Sequence, residues 1–229
     1  MSMQKGHVLL ITAFSVALFL IIIFGSINIV IFDVGSYTSE YSKNGVYPKL
    51  SDNTTQAVAM AGDITKNIMD YFRGRAELQY FTEDEKSHMS DVRHLLDLMR
   101  IIYYSAIAVS IALFIYLYIT LKNDSGVFIR ILAKSLLYSS IACIAFLAIV
   151  LIMCVFYFDA TFTLFHLIFF PQGNWMFASS SLLITLFPEQ FFMDMSLRIF
   201  IYAMFQSIIF FGIGFWINRQ MKEIGRHHQ

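Results

Sequence analysis

The chain has 229 residues, of which 58% are hydrophobic and 17% aromatic, and its sixteen basic and sixteen acidic residues cancel. Zero net charge removes any bulk attraction to nucleic acid or to anionic surfaces. Soluble domains are about 45–50% apolar, so the excess must face a solvent other than water, and a single soluble core is excluded.

The first apolar run is Val8 to Phe32. It exceeds the roughly 20 residues that cross hydrocarbon. It is too long for a signal-peptide core and no small-residue cleavage site follows, so it reads as an uncleaved anchor. Asp33 to Leu50 places Tyr37, Tyr41 and Tyr47 among Gly, Ser and Asn residues, and is expected to be a loop or short irregular region. From Thr54 to about Phe72, Val58, Ala61, Ile64, Ile68 and Phe72 recur at helical spacing and predict an amphipathic helix closed by Arg73-Gly74-Arg75. Ala76 to Phe81 fits either a short strand or a turn.

Thr82-x-x-Glu85 is a capping box that starts a helix running straight into a second span, roughly Ile101 to Leu121. On this helix His88, Val92, Leu95 and Met99 share a stripe, and Glu85 and Asp91 flank His88 three residues to either side. The third span, Ile131 to Phe158, contains both cysteines, Cys143 and Cys154. Two thiols within one apolar run read as packing residues rather than a disulfide, a metal site or a nucleophile. Beyond it come His166, an aromatic stretch to Phe170, and the polar knot Gln172-Gly173-Asn174-Trp175. Trp175 to Phe187 is apolar but only 13 residues long. As a helix it reaches about 20 Å against a core of roughly 30 Å, so it is expected to lie at the interface or re-enter, with Trp175 at headgroup depth. The fourth span is roughly Leu197 to Ile217.

Basic residues set the orientation. Lys5, then Lys122, Arg130 and Lys134, then Arg219, Lys222 and Arg226 share one side if there are four spans, which places both termini in the cytoplasm. The expected fold is an all-α membrane protein with four transmembrane helices. It has an extracytoplasmic, mostly helical domain between spans one and two and an interfacial segment before span four. The expected divisions are 1–32, 33–100, 101–158, 159–196 and 197–229.

This topology sorts the histidines. His7, His227 and His228 fall inside; His88, His94 and His166 fall outside. His94 lies about 240° round its helix from the core stripe and is the poorer partner. A titratable imidazole among so many phenylalanines must be satisfied or used. The plain reading makes His88 and His166 hydrogen-bonded structural residues; the sharper one brings them together over a lipid-facing pocket. Glu85-x-x-His88 has no second copy to complete a di-iron or zinc site, and the outer histidines lie at helix ends, which disfavours haem. No metal or cofactor is expected. There is no Gly-x-Ser-x-Gly elbow and no phosphate-binding loop. Ser179-Ser180-Ser181 reads as helix packing, and Glu189 and Asp194 as capping or topology residues.

Phe81-Thr82-x-x-Glu85-x-x-His88-Met89-x-Asp91-Val92 resembles a signature of the bacterial lipoprotein intramolecular transacylases. So do Phe162-x-x-x-Phe165-His166, Gly173-Asn174-Trp175-x-Phe177, and Leu182 to Phe192 with Leu186-Phe187-Pro188-Glu189. The resemblance covers essentially the whole chain. It implies a cell-membrane enzyme, typical of low-GC Gram-positive bacteria, whose partners are diacylglyceryl-modified lipoproteins and membrane lipid. Such an enzyme moves the sn-2 acyl chain of an S-diacylglyceryl-cysteine to the cysteine α-amino group, giving a lyso-form lipoprotein. It implies His88 and His166 as the catalytic pair. On chemical grounds His88 is expected to be the general base, oriented by Glu85 or Asp91. His166 is expected to polarise the carbonyl or donate the proton, with the roles open to exchange. Backbone N–H groups near Gly173 and Asn174, or the Trp175 indole, are candidate oxyanion donors. Rival readings are a phospholipid-dependent intermolecular acyltransferase and a non-enzymatic sensor or transporter subunit. The absence of charge at the centre of any span counts against a transport path.

Overall fold

The computed structural model describes residues 2–227, with side chains from 5 to 223. Every regular element among the described residues is helical: α1 Ser2–Ile31, α2 Val34–Lys43, α3 Tyr47–Leu50, α4 Thr54–Phe72, α5 Glu83–Leu121, α6 Ser125–Phe156, α7 Phe158–Phe169, α8 Leu182–Leu186 and α9 Glu189–His227. Four of these, α1, α5, α6 and α9, are long and apolar enough to cross a membrane. The charged first turns of α5 exclude its N-terminal part from hydrocarbon; its apolar stretch begins at Ile101.

The chain divides into two compact units. The first comprises residues 1–27, 100–150 and 200–229, and holds the apolar lengths of the four long helices. Phe14, Leu117 and Ile131 form one of its packed clusters, and Ile22, Ile23, Cys143, Leu147 and Ala203 another. Cys143 is fully buried there as a small packing residue. Most remaining apolar side chains of these helices point outward, including Ile111, Phe146, Ile149, Ile208 and Phe215. Bare hydrocarbon of that extent is stable only in lipid.

The second unit joins residues 28–99 to residues 151–199. Its core gathers Tyr37, Tyr41, Ile64, Ile68, Met69, Phe72, Leu78, Met89, Leu96, Leu186 and Phe191. Sequence alone left 33–50 as a loop, yet α2 and α3 form there. Asp33 caps the Gly35 N–H and binds Ser36 Oγ, and the tyrosines bury one face against Phe187 and Phe191. Tertiary burial overrides the turn-rich composition. Helix α4 matches its predicted limits. Asn53 caps it at Gln56, and Gly74 ends it at φ 73°, a left-handed conformation that suits glycine. Residues 76–81 form neither strand nor helix.

The capping box forms as expected: Glu85 accepts from Thr82 N at 2.9 Å, and Thr82 Oγ1 accepts from Glu85 N at 3.4 Å. The inward stripe of α5 is Glu85, Met89 and Leu96, buried, with Val92 and Met99 half-buried beside them, rotated by one position from the one centred on His88. The interfacial segment expected over Trp175 to Phe187 is not one helix. Turns run to Ser181, and only Leu182–Leu186 is helical, capped by Ser181 on the Ile184 N–H. The polar groups of residues 172–174 bind α5 instead of continuing a helix. Tyr157, at φ −139° and ψ 38°, separates α7 from α6, a break the continuous apolar run concealed.

Candidate functional site

Within the second unit, α5 supplies His88 and α7 supplies His166, 78 residues apart in sequence but with ring centroids 6.2 Å apart and planes 21° from parallel. At this spacing the rings are too far apart for a direct hydrogen bond. Aromatic side chains wall both. Phe170 and Phe177 lie 4.8 and 5.7 Å from His88, and Phe162 and Trp175 lie 4.2 and 4.7 Å from His166. His166 is the only buried residue of α7, at 7% exposure, while Leu164, Phe165, Leu167, Ile168 and Phe169 are exposed.

His166 Nδ1 lies 2.7 Å from the Phe162 carbonyl oxygen, one turn back on α7. A carbonyl only accepts, so Nδ1 carries the proton and Nε2 of the neutral ring carries the free lone pair. Burial lowers the His166 pKa, opposed by the Phe162 carbonyl. Burial, reinforced by the neighbouring His166, lowers His88 to about 4, while Asp91 and Asn174 oppose the shift. Both imidazoles are therefore neutral at physiological pH and available as proton acceptors.

The carboxylates beside His88 have other work. Glu85, 2% exposed, gives one oxygen to the Thr82 backbone and hydroxyl and the other to Leu183 N at 3.0 Å. Those hydrogen bonds hold it in the ionised form, although burial opposes them. Asp91 accepts from Gln172 Nε2 at 2.6 Å and from Asn174 Nδ2 at 2.7 Å; Asn174 Nδ2 also reaches Ser87 Oγ at 3.2 Å. Gly173, at φ +80°, supplies the reversal that lets both flanking amides converge on one carboxylate. Residues 172–183 thus strap across His88, tied by Asp91 at one end and Glu85 at the other. Neither carboxylate hydrogen-bonds the His88 ring directly; both hold the strap that covers it.

Asp91 also fixes the Asn174 amide. A carboxylate takes the NH₂ group, so Asn174 Oδ1 must face the other way. That oxygen and His88 Nδ1 are both buried and lack another partner. Their natural pairing puts the His88 proton on Nδ1 and leaves Nε2, like that of His166, with its lone pair free.

His94 is exposed on the far side of α5, and His7 belongs to the other unit. The side chains of His227 and His228, and that of Arg226, lie outside the described residues. Ser87 joins the site without any mark in the sequence, and Phe162, Phe170 and Gln172 join it from longer motifs in which no single role attached to them. The signal for Gln172 was its place in a polar knot inside an aromatic run, which demands a partner; nothing in the sequence identified Asp91 as that partner.

The family model described as lipoprotein intramolecular transacylase Lit matches residues 12–192 of this chain. A sequence search of curated proteins gives no match. Among solved structures, the chain is similar to the membrane integral lipoprotein intramolecular transacylase Lit from Bacillus cereus. The TM-score is 0.82 at 18% identity, over 96% of this chain and 99% of that one. It is similar also to two variants of that protein in which a histidine is replaced by arginine or by alanine. Their TM-scores are 0.75 and 0.74, at 19% and 17% identity, over 99% and 96% of this chain and 96% and 97% of theirs.

Proposed function

Because this chain belongs to the lipoprotein intramolecular transacylase family Lit, a family of membrane acyltransferases, we propose that it moves the sn-2 acyl chain of an S-diacylglyceryl-cysteine lipoprotein to the cysteine α-amino group. The observation that carries the reading is the paired, neutral imidazoles of His88 and His166 inside an aromatic enclosure. The product is an N-acyl, S-monoacylglyceryl lipoprotein. Both termini lie in the cytoplasm and the site opens on the extracytoplasmic face, where such lipoproteins are displayed.

Two imidazoles suit the proton ledger. An α-amino group has a pKa of about 7.7–8.0 and arrives largely as ammonium. Forming an amide requires it to lose two protons. One ends in water, and the other on the glycerol oxygen released when the ester C–O bond breaks. His88 is the ring more open to solvent, so it takes the first proton and passes it to water. His166 is sealed among aromatics, so it takes the second from the tetrahedral adduct and returns it to the departing alkoxide. The imidazolium formed in between stabilises the oxyanion; the Asn174 backbone N–H and the Trp175 indole are further donors, whereas the Gly173 N–H is held by the Phe170 carbonyl at 3.1 Å. Nucleophile and ester belong to one molecule, so no acyl-enzyme is formed. Seating both in near-attack geometry can contribute up to about 7–11 kcal/mol. The exposed apolar face of α7 offers the acyl chain a lipid-like surface.

Co-expression with a reporter lipoprotein, followed by mass spectrometry of its N-terminal lipopeptide, tests the proposal. The expected product is the lyso-form. A reporter that stays diacylated with a free amine overturns the reading. A lyso-phospholipid by-product would instead assign the protein to intermolecular transfer.

A further inference from the structure

In the membrane unit, a half-open cavity of about 350 Å³ is lined by Arg130 and Lys134 of α6 and by Asn218, Met221 and Lys222 of α9. Glycine at position 214 shapes it. A Cβ there would come within 2.8 Å of the Ala133 carbonyl oxygen and 3.0 Å of Leu137 N, so only glycine lets the two backbones meet. From that contact, residues 214, 218, 221 and 222 follow one stripe of α9, and Arg130 and Lys134 follow the facing stripe of α6. Close backbone approach at Gly214 therefore forces the polar ends of the two spans to face each other.

No carboxylate lines the cavity, and among the described residues Arg130, Lys134 and Lys222 have no ion-pair partner; Arg130 and Lys222 are exposed. The nearest acids along the chain are engaged: Asp124 caps the Val127 N–H at 3.1 Å, and Glu223 pairs with Arg219 at 3.1 Å. Asn218 donates its amide to the Gly214 carbonyl at 2.9 Å, which leaves its side-chain oxygen as an acceptor. The volume corresponds to roughly ten water molecules, enough for a phosphodiester with a small polyol. One turn from Lys134 and Asn218 along the same two helices, Tyr138 and Phe215 are exposed. A phosphodiester bound there is thus bordered by lipid-compatible surface.

We propose that this cavity binds the headgroup of an anionic glycerophospholipid, with the phosphodiester on Arg130, Lys134 and Lys222 and a headgroup hydroxyl on Asn218 Oδ1. The lipid bridges α6 and α9 at the polar end of the bundle. The proposal is independent of the transacylase reading.

The test places the full chain in nanodiscs of equal phosphatidylglycerol and phosphatidylcholine, extracts it, and counts retained lipids by native mass spectrometry. The expected result is retention of phosphatidylglycerol over phosphatidylcholine by about tenfold, unaffected by millimolar inorganic phosphate. An Arg130→Gln/Lys222→Gln variant loses that preference, and the charge-conserving Arg130→Lys/Lys222→Arg variant keeps it. If the glutamine variant does not fold, Lys222→Glu alone supplies the comparison, with at least a fivefold reduction expected. Equal retention of the two lipids overturns the proposal, as does a preference unchanged in the charge variants. Displacement by inorganic phosphate also overturns it, in favour of a free-anion site.

Discussion

Asn174 and Asp91, 83 residues apart, meet at 2.7 Å, and that contact sets both the closure over His88 and the orientation of the amide beside it. Replacing Asp91 by Ala removes two charge-assisted hydrogen bonds. Lipoprotein conversion is expected to slow by about 10–100-fold while the fold persists, because a misplaced strap costs geometry rather than core. Asn174→Asp is expected to be worse than Asn174→Ala, since it sets two carboxylates against each other. A time course of reporter conversion checks both, and a wild-type rate in Asp91→Ala would refute the positioning role.

Removing either imidazole should slow transfer severely. His88→Ala and His166→Ala are each expected to lower the rate by about 10²–10⁴-fold, the usual value of a positioned acid–base. His166→Ala also loses an aromatic neighbour of Trp175 and Phe162, so His166→Phe controls for packing and should be equally inactive. Activity in the phenylalanine variant would remove His166 from the chemistry.

The depressed pKa of His88 makes stability depend on pH. The unfolded chain binds a proton near the ordinary value of about 6.5, whereas the folded chain binds it only near 4. Between those values the unfolded state holds more protons, so stability falls as pH drops from 6.5 to 4 and is unaffected above 6.5. The drop attributable to His88 is roughly 3 kcal/mol. Thermal unfolding in detergent across this range should show it, and His88→Gln should flatten the slope.

Glu85 is expected to act on stability before chemistry. Its carboxylate satisfies the Thr82 and Leu183 backbone donors from a buried position. Glu85→Ala leaves both unmet and removes the reciprocal half of the capping box of α5, at a cost of roughly 2–4 kcal/mol. Activity of this variant should recover on cooling; a thermally stable but inactive variant would instead place Glu85 in the reaction.

A second tie joins α2 to α9. Arg198 binds Glu40 at 2.8 Å, and the Glu40 side chain is only 3% exposed. Arg198→Met strands a buried carboxylate, and because Arg198 itself is partly exposed the expected loss is about 2–3 kcal/mol. Adding Glu40→Gln should restore most of it. Unfolding midpoints of the single and double variants check the coupling.

The spans, α4 and the capping box of α5 were legible because each rests on local rules of hydropathy, periodicity and side-chain capping. The pairing of His88 with His166 was legible only through topology and family resemblance. What escaped depends on contacts distant in the chain. Tyr37 and Tyr41 look like loop residues until Phe187 and Phe191 cover them, and only then do α2 and α3 form. Asp91 looked like an orienting acid for a neighbour on its own helix, but its partners come from a segment more than 80 residues away. No periodicity encodes a hydrogen bond of that kind, and no composition encodes the break at Tyr157.

That break has a wider consequence. It frees α7 as a 12-residue helix with one buried residue, His166, and an otherwise exposed apolar surface. On the proposed reading, the acid–base group and the acyl-contacting surface occupy different sides of the same short segment. Substitutions at Leu164, Leu167 and Ile168 are then expected to change acyl-chain preference while the imidazole keeps its anchor on Phe162.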